Sequence, residues 1–169
     1  MEVTIRRART GDVRGIRRLI DLYATERRLL SKATVALYEN VQDFWVAVDA
    51  DEVVGCGALH VMWEDLAEVR TMAVDPAYRG RKIGYRIVEA LLSAARELGV
   101  AKVFCLTFET GFFASFGFRA IDGAPVPPRV YEELLRSYDE GVAEFLDLER
   151  VKPNTLGNTR MLLRLTEDG

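Results

Sequence analysis

The chain has 169 residues, 49% of them apolar, and its 23 Lys and Arg against 26 Asp and Glu leave a formal net charge of −3. That length supports one domain with its own core, and the mildly acidic balance argues against non-specific nucleic-acid binding as the main activity, which needs a net basic surface. The charged start MEVTIRRARTGD and the lack of any stretch approaching about 18 uninterrupted apolar residues support neither export nor a membrane span, so a cytoplasmic protein is expected.

EVTIRRA reads as a short first strand, after which Thr10 and Asp12 can cap a helix with Val13, Ile16, Leu19, Ile20 and Tyr23 at helical spacing. Ser31 can cap a second helix over KATVALYENV. FWVAV and EVVGCGALHVM follow as strands joined through the turn-prone DADE, and WED leads into the strand LAEVRTMAV. Successive strands so closely joined are expected to be antiparallel. Ile83, Ile87, Leu91, Ala94 or Ala95 and Leu98 then line one face of a helix that Gly99 ends. AKVFCLT suits a buried parallel strand, GFFASF a short helix ended by Gly117, and GFRAI a further strand. Prolines open a helix in PPRVYEELLRSYDEG, VKPNTLGN has loop chemistry, and NTRMLLRL closes the chain as a strand. The expected fold is mixed α/β in a single domain over residues 1–169, with a helical insertion at about 122–157 before the last strand. Cys56 and Cys105 lie in strand-like apolar runs, and with one histidine in the chain no metal cluster of recognised spacing can form, so buried, reduced thiols and no metal are expected.

DPAYRGRKIGYRIVEALL, from residue 75 to 92, places a glycine-bounded basic turn between a strand and a helix. First-turn N–H groups have no intrahelical acceptor and sit at the positive end of the helix dipole, so this order marks an anion site, with full charges from Arg79, Arg81 and Lys82.

A strand ending in TMAVDPAYRGRKIGYRIV, then a buried strand and FFASFGF, resembles the core of the Gcn5-related N-acetyltransferase (GNAT) superfamily over residues 3–121. The resemblance implies the GNAT fold: a mixed, mostly antiparallel central sheet with flanking helices. It implies acetyl-coenzyme A as cosubstrate, its pyrophosphate held by backbone N–H groups of the turn built from Arg79, Gly80, Arg81, Lys82, Ile83, Gly84 and Tyr85. A bulge expected in the fourth strand near Met72, Ala73 and Val74 would free a backbone N–H for the thioester oxyanion. Two positions depart from the family pattern. Lys82 stands where glycine is usual, on a backbone expected to be near-helical and so to allow lysine. Phe113 stands where a tyrosine often protonates the leaving thiolate.

GCGALHV, EVRTMAVDPAYRG, FCLTFETGFFASFGF and the ending SYDEGVAEFLDLERVKPNTLGNTRMLLRL together are similar to the short N-acetylglutamate synthases that lack a kinase domain. That likeness implies acetylation of the α-amino group of glutamate, the first step of arginine synthesis. An ammonium acceptor must lose a proton before attack. Glu68, on the strand leading to the turn, is the first candidate base, the alternative being an exposed hairpin glutamate. His60 on the neighbouring strand is its rival, the alternative being a half-buried strand histidine. A dicarboxylic acceptor needs cations. Lys32, where glutamate-acetylating relatives have a basic residue, and Arg70 are candidates; an exposed helix-start lysine, and an ion pair from Arg70 to Glu68 or Asp65, are the alternatives. Asn158, Thr159 and Arg160 fall where the longer synthases bind substrate from their last strand, with one expected charge missing. Residues 127–157 are expected to cover the acceptor site, and Phe112, Phe113, Phe116 and Phe118 to form core. An acetyltransferase for another small amine or a protein lysine, and a non-catalytic acyl-coenzyme A module, remain as other readings. Partners are a small amino acid and acetyl-coenzyme A, without nucleic acid or membrane, and a homodimer is compatible with this reading.

Overall fold

The computed structural model describes residues 2–24, 33–152 and 157–165. Along them run β1 (Thr4–Arg7), α1 (Val13–Ala24), α2 (Thr34–Glu39), β2 (Phe44–Asp49), β3 (Glu52–Trp63), β4 (Leu66–Val74), α3 (Ile83–Leu98), β5 (Lys102–Thr107), α4 (Thr110–Ala114), β6 (Arg119–Ala120), α5 (Pro128–Leu134), α6 (Glu140–Phe145) and β7 (Thr159–Arg164). The seven strands pair in the order β1-β2-β3-β4-β5-β7-β6. β1 with β2, β2 with β3, β5 with β7 and β6 with β7 are antiparallel, while β4 and β5 are parallel. A parallel pair needs a crossover, and α3 is that crossover. This is the mixed, mostly antiparallel sheet expected of the GNAT fold.

Two compact units divide the chain: Met1–His60 with Val69–Ala95, and Val61–Glu68 with Arg96–Gly169. In the first, the buried face of α1 (Val13, Ile16, Leu19, Ile20) packs with Leu37 of α2 and with Phe44, Val46, Val53 and Cys56 of β2 and β3. Each such side chain removed from water contributes about 1.5–3 kcal/mol before entropy is counted. α3 approaches β3 closely because Gly57 has no side chain: a Cβ there would lie 2.9 Å from Ile87 Cγ2 and 3.2 Å from Leu91 Cδ1. The GCG stretch is therefore a seat for the helix that carries the basic turn. Two local expectations differ from the structure. Asp12 ends a 3₁₀ turn before α1, and its carboxylate turns back to accept from the Arg9 N–H at 2.7 Å and the Arg6 guanidinium at 2.7 Å, because a neighbouring cation outcompetes the helix donors ahead. α2 begins at Thr34 with Ala33 at its cap position, while the expected cap Ser31 lies outside the described residues.

In the second unit, Leu66, Phe104 and Leu162 of the sheet are buried with Val130, Leu134, Val142, Phe145 and Leu146 of the insertion. The Phe104 and Phe145 rings meet edge to face at 5.3 Å, a geometry favoured by the ring quadrupoles. The insertion thus contributes to this core one face of α5, through Val130 and Leu134, and nearly the whole of α6, where Gly141, Val142, Ala143, Glu144 and Phe145 are buried. After α4, the Phe118 N–H donates to the Phe113 carbonyl (3.2 Å) and the Gly117 N–H to that of Ala114 (2.9 Å). These two bonds make a Schellman stop, with Gly117 at φ 101° as its left-handed residue. The hydrophobic contact that accompanies such a stop is the Phe113–Phe118 ring pair at 5.3 Å. Of the four phenylalanines expected in the core, Phe113 and Phe118 are buried and Phe112 and Phe116 are half-buried.

Candidate active site

β4 is irregular where an acyl-transfer site would need it. Thr71 has φ 57° inside the strand, a break of the bulge kind that interrupts regular alternation. Its carbonyl accepts from Cys56 Sγ at 3.5 Å, and Met72, Ala73 and Val74 follow it. Met72 packs: a Cβ on Gly57 would lie 2.3 Å from its sulfur. Burial pushes the Cys56 thiol up to about 12, and burial first and the Glu68 charge second push Cys105 up as well. Both thiols are inert residents of the core.

The basic turn is assembled from several local devices. The Asp75 N–H donates to the Val54 carbonyl at 2.8 Å, and Val54 is the residue left over where the β2–β3 register shifts between Ala47 and Val48. The Asp75 side chain accepts from the Ala77 N–H at 2.9 Å and from Arg18 at 3.2 Å, capping a 3₁₀ turn over Pro76–Tyr78. Gly80 then takes φ 81° and Lys82 φ 57°. Lysine therefore occupies a left-handed backbone, which corrects the near-helical conformation expected for it. The family's usual glycine suits that conformation, whereas a side chain there costs about 1–2 kcal/mol. α3 makes its first bond from Arg86 N–H to the Lys82 carbonyl at 3.0 Å, so the donors of residues 83–85 face out of its N-terminal end. Arg79, Gly80, Arg81, Lys82 and Tyr85 are exposed, Gly84 is half-buried, and Ile83 is buried and anchors the helix. Charge, backbone donors and left-handed residues converge here on the requirements of an anion site.

Tyr78 and Asp49, overlooked in the sequence, complete this region. The Tyr78 hydroxyl donates to Asp49 Oδ2 at 2.5 Å, and the Arg81 guanidinium carbon lies 4.9 Å from the Tyr78 ring centre. Hydrogen bonding to Asp49 leads the causes that raise the phenol above its ordinary range, while Arg81 opposes them. Asp49 belongs to the DADE turn, and only its place opposite the 75–82 stretch distinguishes it from an ordinary hairpin acid.

His60, also in the first unit, is half-buried with Nδ1 2.7 Å from Asp43 Oδ2. A carboxylate on one ring nitrogen fixes tautomer and orientation. Arg70 is half-buried on β4. Asp65, offered as its alternative partner, lies 3.6 Å from Lys102 Nζ. Lys32 lies outside the described residues.

In the second unit Glu68 is 3% exposed, in register with Phe104 of β5. This corrects the alternative that made it an exposed hairpin glutamate: β4 is covered on both sides at this point, with Leu66, Ala67 and Val69 buried too. A carboxylate so enclosed must have its oxygens met by protein groups rather than by bulk water. Thr159 pairs with Thr107 across β5 and β7, and Asn158 precedes it, half-buried. Arg160 donates Nε–H to the Glu144 carbonyl at 3.0 Å, Nη2–H to that of Gly123 at 3.0 Å, and to the carbonyl of Phe145. Burial lowers its pKa, against the opposing charges of Asp147 and Asp122. Its Nε and Nη2 donors are thus engaged by the backbone of the insertion, at a residue expected to contact substrate. Among the described residues no group of three or more His, Cys, Asp or Glu could hold a metal ion, and no helix is long and apolar enough to cross a membrane.

Known proteins extend this picture. A family model for the acetyltransferase (GNAT) domain matches residues 40–120. An amino-acid acetyltransferase from Mycobacterium tuberculosis is 60% identical over 164 residues, 95% of this chain and 94% of that protein. An uncharacterized N-acetyltransferase from Chlorobaculum tepidum is 33% identical over 78% of this chain and 85% of its own length. Among solved structures, one from Mycobacterium tuberculosis in complex with CoA and NLQ has a TM-score of 0.92 at 59% identity, covering 96% of this chain and 99% of that one. N-acetylglutamate synthase from Neisseria gonorrhoeae, complexed with coenzyme A and N-acetyl-glutamate, has a TM-score of 0.77 at 22% identity over 99% of this chain and 36% of its own, a likeness of fold.

Proposed function

Because the chain belongs to the GNAT acetyltransferases, we propose that residues 1–169 act as one domain that transfers acetyl from acetyl-coenzyme A to the α-amino group of L-glutamate or L-glutamine. The observation that carries this reading is the 60% identity, over 95% of the chain, with a protein named as an amino-acid acetyltransferase. Arginine synthesis as the pathway and the cytoplasm as the location come with it.

In this reading the turn with Arg79, Gly80, Arg81, Lys82, Ile83, Gly84 and Tyr85 holds the pyrophosphate through backbone N–H groups and charge. Glu68 takes the proton from the acceptor ammonium, directly or through water. The freed amine attacks the thioester carbonyl, and an N–H released by the break at Thr71, within residues 72–74, stabilises the oxyanion. The attacking nitrogen gives its second proton to water as collapse breaks the C–S bond. Phe113 has no hydroxyl to give, and its ring is spent on the Schellman stop. An ordinary alkyl thiol has a pKa of about 8.5, so coenzyme A leaves as a thiolate near neutral pH and takes its proton from water. Arg70 and Lys32 meet the acceptor's carboxylates, with Asn158 and Thr159 as polar contacts. A second assignment of the base is favoured by the 2.7 Å His60–Asp43 contact, which resembles a base held by its orienting acid.

Thiol release from acetyl-coenzyme A across a panel of free amino acids, amines and peptides tests the proposal. Glutamate or glutamine should give the highest kcat/KM. Acetylation of an unrelated amine with neither of these accepted would sink the acceptor assignment, and coenzyme A binding without thiol release from any acceptor would replace the enzyme by a sensor.

A further inference from the structure

We infer that Asp49, which lies outside the basic turn, is a positioning residue for coenzyme A that acts through Tyr78 on Arg81; the inference rests on the reading of that turn as the cofactor site. Electrostatics alone argues against an acid at this place. A carboxylate beside a phosphate-binding turn repels the ligand, so its presence requires a use other than direct contact.

The geometry supplies one. Asp49 is the last residue of β2 and pairs with Glu52 across a two-residue turn. Ala50 and Asp51 in that turn have φ 47° and 71°, the left-handed pair of a type I′ hairpin turn. Asp51 is of a type such turns favour and Ala50 is not, and the tight turn leaves the Asp49 backbone little latitude. Its Oδ2 accepts the Tyr78 hydroxyl at 2.5 Å, a short O–H···O⁻ bond of the strong, charge-assisted class. The phenol, protonated at neutral pH in any case, is held still further from losing its donor by the carboxylate, which raises its pKa.

Tyr78 is the last residue of the 3₁₀ turn that enters the basic stretch, and Arg81 stacks over its ring at 4.9 Å. Asp49 thereby fixes the ring on which the guanidinium rests. A second tie runs parallel to the first: Arg18 donates to the Val53 carbonyl at 2.9 Å, just past the hairpin, and to Asp75 at 3.2 Å, just before the turn. Hairpin and turn are thus joined at two places, and the rotamer entropy of Arg81 is lost before a phosphate arrives instead of on binding.

This separates the two things an acid can do here, because they have opposite signs. If Asp49 acts only as a charge, Asp49→Ala and Asp49→Asn both tighten coenzyme A binding. If it acts as a hydrogen-bond acceptor, Asp49→Ala weakens binding about tenfold. Asp49→Asn, which keeps an acceptor oxygen, restores it. Tyr78→Phe keeps the ring and loses the donor, so it should match Asp49→Ala, and the double variant should lose no more than either alone.

Calorimetry of coenzyme A with the full chain and these four variants gives the affinities; steady-state kinetics should place the loss in the acetyl-coenzyme A KM, with kcat and acceptor KM within twofold. A thermal midpoint for each variant separates loss of fold from loss of position, and if Asp49→Ala does not fold, Tyr78→Phe carries the same comparison. Wild-type binding with Asp49→Ala and Tyr78→Phe equally tight, or losses that add in the double variant, overturns the inference alone. Absence of coenzyme A binding by the wild type overturns the reading of the turn, and the inference with it.

Discussion

Two sets of basic residues, one in each unit, serve opposite ends. In the first, Arg79, Arg81 and Lys82 stand exposed on a turn whose backbone donors also face outward. In the second, Arg160 gives its donors to three carbonyls around the insertion, and Lys102 reaches the Pro125 carbonyl at 3.2 Å. An exposed cation keeps its hydration and can exchange it for a ligand. A half-buried one must be satisfied by the protein itself, because an unmet buried donor costs about 1–3 kcal/mol. Identity as arginine or lysine does not distinguish the two uses; the oxygen atoms within reach do.

The largest effect expected separates chemistry from donor binding. Glu68→Gln should lower turnover on the order of a hundredfold or more while calorimetry finds coenzyme A affinity unchanged. A near-native rate would transfer the base to His60, to be tested by His60→Asn. Next, Arg160→Met should destabilise the protein by about 1–2 kcal/mol in urea titration, since the part-buried Glu144 and Phe145 carbonyls lose their donor, with coenzyme A affinity retained. Unchanged stability together with a raised acceptor KM would break the comparison and make Arg160 a substrate cation.

A loss of similar size, about 1–2 kcal/mol, is expected for Gly117→Ala, whose left-handed φ of 101° no Cβ tolerates well. Its counterpart in the basic turn has the opposite sign. Lys82→Gly relieves about 1–2 kcal/mol of left-handed strain and returns about 0.4–1 kcal/mol as unfolded-chain entropy, so stability should rise slightly. A fall in the denaturation midpoint would show that the lysine side chain is held by something stronger than its strain. Smallest of all is a null effect. With Cys56 pushed up to about 12 and Cys105 raised by burial, neither thiol should react with a disulfide reagent at pH 8 until the chain unfolds. A raised thiol pKa contributes stability that is full below the ordinary thiol range and is lost as pH climbs toward the folded value, so these cysteines add alkaline lability and no acid lability.

The element order was readable wherever periodicity was strong. The face of α3 at residues 83, 87 and 91, the continuous apolar run of β5, and the glycines that end α3 and α4 all stand in the structure as expected. These signals are local: a helix face repeats every three or four residues, and a glycine stop depends on its own φ. The charges, the glycines and the strand-to-helix order of residues 75–85 were legible for the same reason, since they are contiguous.

What the chain order could not supply is which distant atoms meet. Lys82 is a lysine in any reading, but its left-handed φ follows from the path between β4 and α3. Asp49 is an acid in a turn until β2 carries it to Tyr78, and Arg160 is a cation on a strand until the insertion folds its carbonyls around it. Glu68 looks like a hairpin glutamate until β5 lies alongside it and buries it. Composition, periodicity and local turn chemistry therefore determined the elements and the glycine-bounded basic turn. Tertiary structure alone decided the task of each charged side chain, because the free energy of a charge is set by the solvent it loses and the partners it gains, and both come from residues far away in the chain.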